Sequence, residues 1–155
     1  HHDIIGLLPV AKPLSPMVAL ELPLKVDVKQ GHLTDEQFYQ LCINNPDLTI
    51  ERSKEGVLIF MPPVGGDSGS WEADYITDLN IWNRATKKGK VFSSSTLFRL
   101  PGGGDPCGIC EAARSPDAAW VELSRWLDLT PEQRAKFPLI APDFMIELRS
   151  RTDDL

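Results

Sequence analysis

Two acidic residues stand in segments that otherwise have the character of buried strands. Asp117 leads into the apolar run 118–121, and Glu147 interrupts the apolar run 144–148. Burying a lone carboxylate is costly unless a metal ion or another cation compensates its charge. If the two strands are neighbours in one sheet, the pair offers hard oxygen ligands of the kind that Mg²⁺ prefers. The spacing therefore indicates a candidate divalent-metal site.

Each of these acids also has a simpler explanation when it is considered alone. Asp117 follows Pro116 and could be an ordinary polar residue at the start of a strand. It is the second carboxylate, Glu147, that makes the metal site the better interpretation, because one ion can then offset the charge of both.

The order Pro116-Asp117 and then Glu147-Leu148-Arg149 resembles the motif of the PD-(D/E)xK nucleases. More widely, the chain resembles the Uma-two family of endonucleases, a branch of the restriction-endonuclease-like group. Short segments with the character of that family follow one another in the family's order along the greater part of the chain. These segments are 45–49, 59–63, 65–66, 79–83, 92–96, 98–101, 114–121, 129–134 and 142–150.

The resemblance implies an α+β, restriction-endonuclease-like fold with a mixed central sheet flanked by helices. It also implies Mg²⁺-dependent hydrolysis of phosphodiester bonds in DNA, with Mn²⁺ as an alternative cofactor. In the family a further helix and strand follow the strand that carries the Glu-x-Lys motif. Because this chain ends at Leu155, we expect that C-terminal helix and strand to be missing from it.

The same resemblance assigns roles to individual residues. Asp117 is the expected principal metal ligand and Glu147 the second ligand. Arg149 occupies the position of the motif's lysine, where its permanent positive charge can stabilise negative charge but cannot act as a base. In many relatives a lysine on the following helix takes that role, and here it would lie beyond Leu155.

Two further acids are candidates for the metal site by resemblance to the family. The family often carries an acid in its first long helix, and Asp74 is the candidate here, with Glu72 as the alternative. Glu51, in a segment with hairpin character, is either a third ligand or a strand residue that faces solvent.

Composition limits the class of protein. The chain has 155 residues, of which 42% are hydrophobic and 25% charged, as expected for one globular domain. A net charge of −6 counts against a protein that coats DNA, although a bound metal and a local basic strip would reconcile that charge with a nuclease. No apolar run approaches the length of about 20 residues that a membrane span needs, and no signal peptide is recognisable.

The cysteines bear on cellular location and on a second metal site. Their odd number, with Cys42, Cys107 and Cys110, predicts reduced thiols and a cytoplasmic protein. Cys107 and Cys110 have the spacing of half a zinc site, but the Gly- and Pro-rich surroundings and the shortage of other ligands predict a flexible loop without metal.

Local signals predict the elements that must position the acids. Thr34 and Gln37 have the spacing of a capping box, and Gly56 lies at the turn of a predicted hairpin. Asp67 or Ser68 is expected to cap a long helix. The predicted helices begin near residues 34, 67 and 130, and the predicted strands are 48–52, 57–61, 91–92, 96–99, 118–123 and 144–148. Residues 1–33 are interpreted as a tag remnant and an extended arm, and residues 34–155 as the domain.

Two other functions are compatible with the sequence. The first is a non-catalytic descendant of the restriction-endonuclease-like fold that serves as a binding or interaction domain, which the missing motif lysine favours. The second is a small partner protein, of the toxin–antitoxin kind, whose N-terminal arm mediates a dimer contact. For the nuclease, the expected partner is DNA, no membrane is involved, and a homodimer is compatible with the sequence.

Overall fold

The computed structural model describes residues 23–28, 33–102 and 111–148. Within these ranges the chain forms four helices and eight strands. The helices are α1 (Asp35–Asn44), α2 (Gly66–Thr86), α3 (Leu123–Asp128) and α4 (Pro131–Ala135). The strands are β1 (Leu24–Val26), β2 (Thr49–Arg52), β3 (Leu58–Met61), β4 (Gly89–Ser93), β5 (Phe98–Leu100), β6 (Ala112–Arg114), β7 (Ala118–Glu122) and β8 (Phe144–Ile146).

The strands form two sheets. The large sheet has the order β1-β3-β2-β6-β5, and the small sheet has the order β4-β7-β8. Every ladder between these strands is antiparallel, and the parallel contact that the described residues make is a single bridge between Arg99 and Leu139. The α+β class predicted from the sequence is confirmed. In place of one mixed central sheet, the described residues form two sheets whose strands pair in antiparallel fashion.

Besides the connection through α2, the chain crosses between the two sheets at two neighbouring turns. One turn leads from β4 in the small sheet to β5 in the large sheet, and the other leads from β6 in the large sheet back to β7 in the small sheet. Ser93 at the end of β4 pairs with Ala118 at the start of β7, so the two crossings lie side by side. Asp117 is therefore placed at the junction of the sheets.

The local signals in the sequence match most of these elements. Thr34 caps α1 with both bonds of a capping box, and Thr130 caps α4 in the same way. The predicted hairpin is formed by β2 and β3. The start of α2 differs from expectation, because its N-cap is Gly65, which has no side-chain bond, whereas Asp67 or Ser68 was expected to cap the helix.

Asn83 joins helix α2 to the small sheet through hydrogen bonds. Asn83 Oδ1 accepts hydrogen bonds from the Gly89 amide at 3.1 Å and from Trp120 Nε1 at 2.9 Å, and its Nδ2 donates to the Gly89 carbonyl at 3.0 Å. The close approach requires glycine at position 89, because a Cβ there would lie 2.3 Å from the Val121 carbonyl oxygen. This attachment fixes where the acids of α2 lie relative to the sheet.

A network of charged side chains joins α1 to the large sheet. Asp35 contacts Arg52, which is 1% exposed, and also Arg99 at 2.6 Å. Arg52 Nε donates to the Glu111 carbonyl at 2.7 Å, and its guanidinium lies over the Phe38 ring, 4.6 Å from the centroid. The buried guanidinium of Arg52 is thus fully surrounded by partners, and it holds in place the strand that carries Glu51.

Candidate active site

Asp117 and Glu147 lie at the same end of the small sheet. In the antiparallel pairing of β7 with β8, Ala118 faces Ile146, and the two acids are the next residues beyond that pair. Asp117 Oδ2 also accepts a hydrogen bond of 2.6 Å from the Leu148 amide. The structure therefore brings together the two acids that the sequence singled out, on neighbouring strands of one sheet.

Glu51 reaches the same junction from the large sheet. It lies on β2, and its side chain is only 12% exposed. Its Oε1 accepts from the Ser115 amide at 2.8 Å, and its Oε2 accepts from Arg114 Nη1 at 3.0 Å. Glu51 thus holds the start of the crossing that carries Asp117, with both of its oxygens engaged. Its role as a third metal ligand remains a prediction.

The electrostatics of the junction are unbalanced. Desolvation, followed by the negative charges of Asp117 and Glu51, raises the pKa of Glu147 to about 7, and Arg114 offsets only part of this effect. The Glu147 side chain is nevertheless exposed, so solvent screens part of these charges. Among the described residues, the carboxylates of Asp117 and Glu51 thus act on Glu147 beside one guanidinium, that of Arg114, and this is a surplus of negative charge that a cation would neutralise.

The donors at the junction fit one kind of metal better than others. The described ranges contain no group of three or more His, Cys, Asp or Glu residues arranged to hold an ion, whereas a structural zinc centre takes four protein ligands. Magnesium differs, since it usually keeps several waters and takes only one or two carboxylates. Asp117 and Glu147 are suited to that kind of site.

Of the two candidate acids on α2, the alternative lies nearer the junction. Glu72 Oε1 accepts a hydrogen bond from the Ser94 hydroxyl, and Ser94 is the residue after the Ser93–Ala118 pair. Asp74 is exposed and makes no hydrogen bond or ion pair with any residue that the structure describes. A step of two residues turns a helix by more than half a turn, so the side chains of Glu72 and Asp74 point in different directions.

Other sequence-derived candidates cannot be located in the same way. Arg149, Cys107 and Cys110 lie outside the described residues. Conversely, the contacts that Arg114 and Ser115 make with Glu51 were not predicted from the sequence. No local signal reveals them, because they depend on the pairing of β2 with β6, which joins Arg52 to Ala113 across the large sheet.

Comparisons with known proteins bear on the same part of the chain. No curated protein matches it. A profile of the Uma2 family, described as "Putative restriction endonuclease", matches residues 35–155, a span that contains Glu51, Asp117 and Glu147. None of the helices in the described ranges combines the length and apolar character needed to cross a bilayer. The match extends over far more than half of the sequence and confirms the resemblance seen in the motifs: the chain belongs to the Uma2 family.

Proposed function

We propose that this protein is a Mg²⁺-dependent endonuclease that hydrolyses phosphodiester bonds in DNA. The observation that carries the proposal is the placement of Asp117 and Glu147 one residue beyond the Ala118–Ile146 pair, with the pKa of Glu147 raised to about 7. A carboxylate whose pKa is strongly raised beside a second carboxylate is typical of functional sites. Membership of the Uma2 family supports the reaction class.

In this proposal Asp117 and Glu147 hold the ion through their carboxylate oxygens. When bound there, Mg²⁺ would supply Lewis-acid polarisation of the phosphate and activation of the attacking water. The Leu148 amide orients the Asp117 carboxylate, and Glu51 fixes the Ser115 peptide two residues before it. Both contacts use backbone amides of the segments that carry the two acids, so the distance between the acids is set by the sheet.

A cation near the scissile phosphate would stabilise the charge that develops in the transition state. Arg114 lies at the junction, and its side chain is 39% exposed while it pairs with Glu51. We propose that its remaining guanidinium nitrogens contact the phosphate. Arg149, at the position of the motif's lysine, is the second candidate for this role.

The experiment compares two isosteric substitutions. Asp117→Asn removes one ligand charge, and Asp47→Asn is the matched control at an exposed position in the turn before β2. We expect Asp117→Asn to abolish Mg²⁺- or Mn²⁺-dependent nicking of plasmid and single-stranded DNA, and the control to retain it. Calorimetric titration with Mn²⁺ should show the same contrast in metal binding. Equal cleavage by wild type and Asp117→Asn would place the activity elsewhere.

A second candidate function is a non-catalytic interaction domain on the same fold. The observation that favours it is that both oxygens of Glu51 are occupied by Arg114 and Ser115, which leaves fewer free ligands at the junction. Under this alternative the wild-type chain neither binds Mn²⁺ nor cleaves DNA with either ion. Metal binding without cleavage would separate the two functions, because it would support the site but not the reaction.

A further inference from the structure

The turn from helix α2 into strand β4 concentrates positive charge. Four of the 16 lysines and arginines in the chain fall within positions 84–90, and no acid lies among them. These residues, Arg84, Lys87, Lys88 and Lys90, are called the basic cluster below. All four are exposed, and none forms an ion pair with a residue in the described ranges. On a chain whose net charge is −6, such a cluster requires an explanation.

The fold holds the four cations at one place. Helix α2 ends at Thr86 and β4 begins at Gly89, so the chain reverses direction within a few residues. Asn83 bonds both the amide and the carbonyl of Gly89, and the Leu123 amide donates to the Lys88 carbonyl at 2.8 Å. The backbone of the turn is therefore fixed, while the side chains of the basic cluster remain exposed.

Helix stability alone does not account for the basic cluster. A helix C-terminus carries only about half a negative charge, and Arg84 already lies in the last turn of α2. Lys87 adopts the left-handed conformation at the C-cap, with φ 55° and ψ 30°, where glycine is favoured because it has no Cβ. The chain thus carries a lysine at a position where backbone conformation favours glycine, which is expected if the charge has a function.

Helix α2 and strand β4 join the basic cluster to the candidate active site. At one end of this pair Glu72 contacts Ser94, beside the junction of the sheets, and at the other end Asn83 contacts Gly89. The helix between Glu72 and Asn83 and the strand between Gly89 and Ser94 each span about 16 Å. In B-form DNA, where each strand advances about 3.4 Å per phosphate along the axis, this length corresponds to about five base pairs.

We propose that the basic cluster binds the phosphate backbone of the DNA whose scissile phosphate lies at Asp117 and Glu147. This inference rests on the proposed nuclease function, which makes DNA the ligand. Lysine and arginine neutralise phosphates and release the counterions condensed on them, so the basic cluster adds affinity and sets the direction in which the duplex leaves the site. Such contacts position the DNA but read no base sequence.

The distribution of charge favours DNA over an anionic membrane surface, which also attracts lysines. A bilayer is broad and would face the acids around the basic cluster as well as the cluster itself. Exposed Glu122 lies opposite Gly89 in the pairing of β4 with β7, and exposed Asp78 lies on α2. A DNA backbone follows a narrow track and can contact the basic cluster without covering these acids.

Salt dependence provides the main test. Binding of a labelled duplex in EDTA is measured by fluorescence anisotropy over a series of KCl concentrations. Each phosphate contact contributes about 0.9 to the slope of log Kd against log [KCl]. We expect Lys88→Gln and Lys90→Gln each to lower this slope by about that amount. Lys54→Gln, at an exposed site in the hairpin turn of the large sheet, is the matched control and should leave the slope unchanged.

A glycine substitution separates the charge of Lys87 from its structural role. Lys87→Gly removes one cation and also relieves the left-handed backbone strain. We expect its slope for DNA to fall as in Lys88→Gln, while its urea midpoint stays the same or rises. A lysine that served only the stability of α2 would give the reverse, a lower midpoint with an unchanged slope, and that result would overturn the role assigned to Lys87.

The outcomes also separate this inference from the proposed reaction. Asp117→Asn should bind DNA in EDTA with the wild-type slope, because its basic cluster is intact. Wild-type binding with a slope that falls in the lysine variants, but without cleavage in Mg²⁺ or Mn²⁺, would support the basic cluster and overturn the nuclease. Equal slopes in wild type and all lysine variants would overturn the basic cluster alone. A wild type that does not bind DNA would also overturn it, as would variants that lose binding to phosphatidylserine vesicles but keep the wild-type slope for DNA.

Discussion

Two acidic clusters in this molecule have opposite electrostatic balance. Around Asp35, one carboxylate contacts the guanidinium groups of Arg52 and Arg99 and accepts the Glu111 amide at 3.2 Å. Burial alone would raise the pKa of Asp35, but the hydrogen bond and charge of Arg52, together with Arg99, hold it below its usual value. At the junction of the sheets, the balance is reversed, and the pKa of Glu147 rises to about 7.

The comparison shows how to distinguish a structural cluster from a functional one. In the Asp35 cluster one carboxylate contacts two guanidinium groups, and removing it would leave the buried charge of Arg52 without its acidic partner. In the junction cluster Glu51, Asp117 and Glu147 share a single described cation, Arg114. Such a surplus of negative charge is unfavourable, and under the proposed function a bound cation would relieve it.

The largest expected effect is on folding stability, through Asp35→Asn. This substitution keeps the side-chain shape but removes the charge that faces Arg52, which is 1% exposed. We expect the free energy of unfolding, measured by urea denaturation at neutral pH, to fall by about 3 kcal/mol, the cost of leaving a buried charge unpaired. An unchanged stability would mean that the two clusters do not differ in the way described.

The same kind of substitution at the junction of the sheets should not lower the free energy of unfolding. Asp117→Asn can still accept the Leu148 amide and relieves repulsion with Glu147. We therefore expect the free energy of unfolding to stay the same or to rise slightly, by less than about 1 kcal/mol. A loss as large as that of Asp35→Asn would show that Asp117 has a structural role and would weaken the metal-site interpretation.

The pH dependence of stability should separate the clusters further. Glu147 has a pKa of about 7 in the folded chain against 4.5 as the reference value, so between these values the folded state holds more protons and stability falls as pH rises. Because the side chain is exposed, solvent screening limits this fall to about 1 kcal/mol. Denaturation curves from pH 4.5 to 8 should show the fall in wild type and not in Glu147→Gln.

For Asp35 the pH dependence of folding stability has the opposite sign. Its lowered pKa means that its contribution is complete above the reference value of 3.8 and is lost as pH falls through the lower folded value. Asp35→Asn should therefore remove part of the acid sensitivity of the wild type. A variant that instead flattened the curve near neutral pH would contradict this assignment.

The smallest expected effect is a change in the pKa of Glu147 when the charge of Glu51 alone is removed. Glu51→Gln can keep the bond to the Ser115 amide but removes one of the two negative charges that raise the pKa of Glu147. Carbon-13 NMR titration of the Glu147 carboxyl should show a pKa closer to 4.5 in this variant and in Asp117→Asn. Glu55→Gln, at an exposed site in the hairpin turn, is the control and should leave it unchanged.

Local chemistry in the sequence was sufficient for most of the elements. The capping boxes at Thr34 and Thr130 involve residues three apart, and the hairpin around Gly56 needs only its turn and two alternating runs. The strands β7 and β8 were visible as apolar runs with one acid each. The short strands β1 and β6 and the helix α3 were missed, because three to six residues carry too little periodicity to be recognised.

By itself, the sequence determined the family, the α+β class and the identity of the paired acids, since motifs and helix caps are recognised from residues that are close together in the chain. Tertiary structure decided which charges meet. The hydrogen bond from the Ser115 amide to the Glu51 carboxylate joins residues 64 positions apart. The contact between Glu72 and Ser94 depends on how Asn83 attaches α2 to the small sheet. Such pairings are set by strand register and helix packing, which no local pattern encodes.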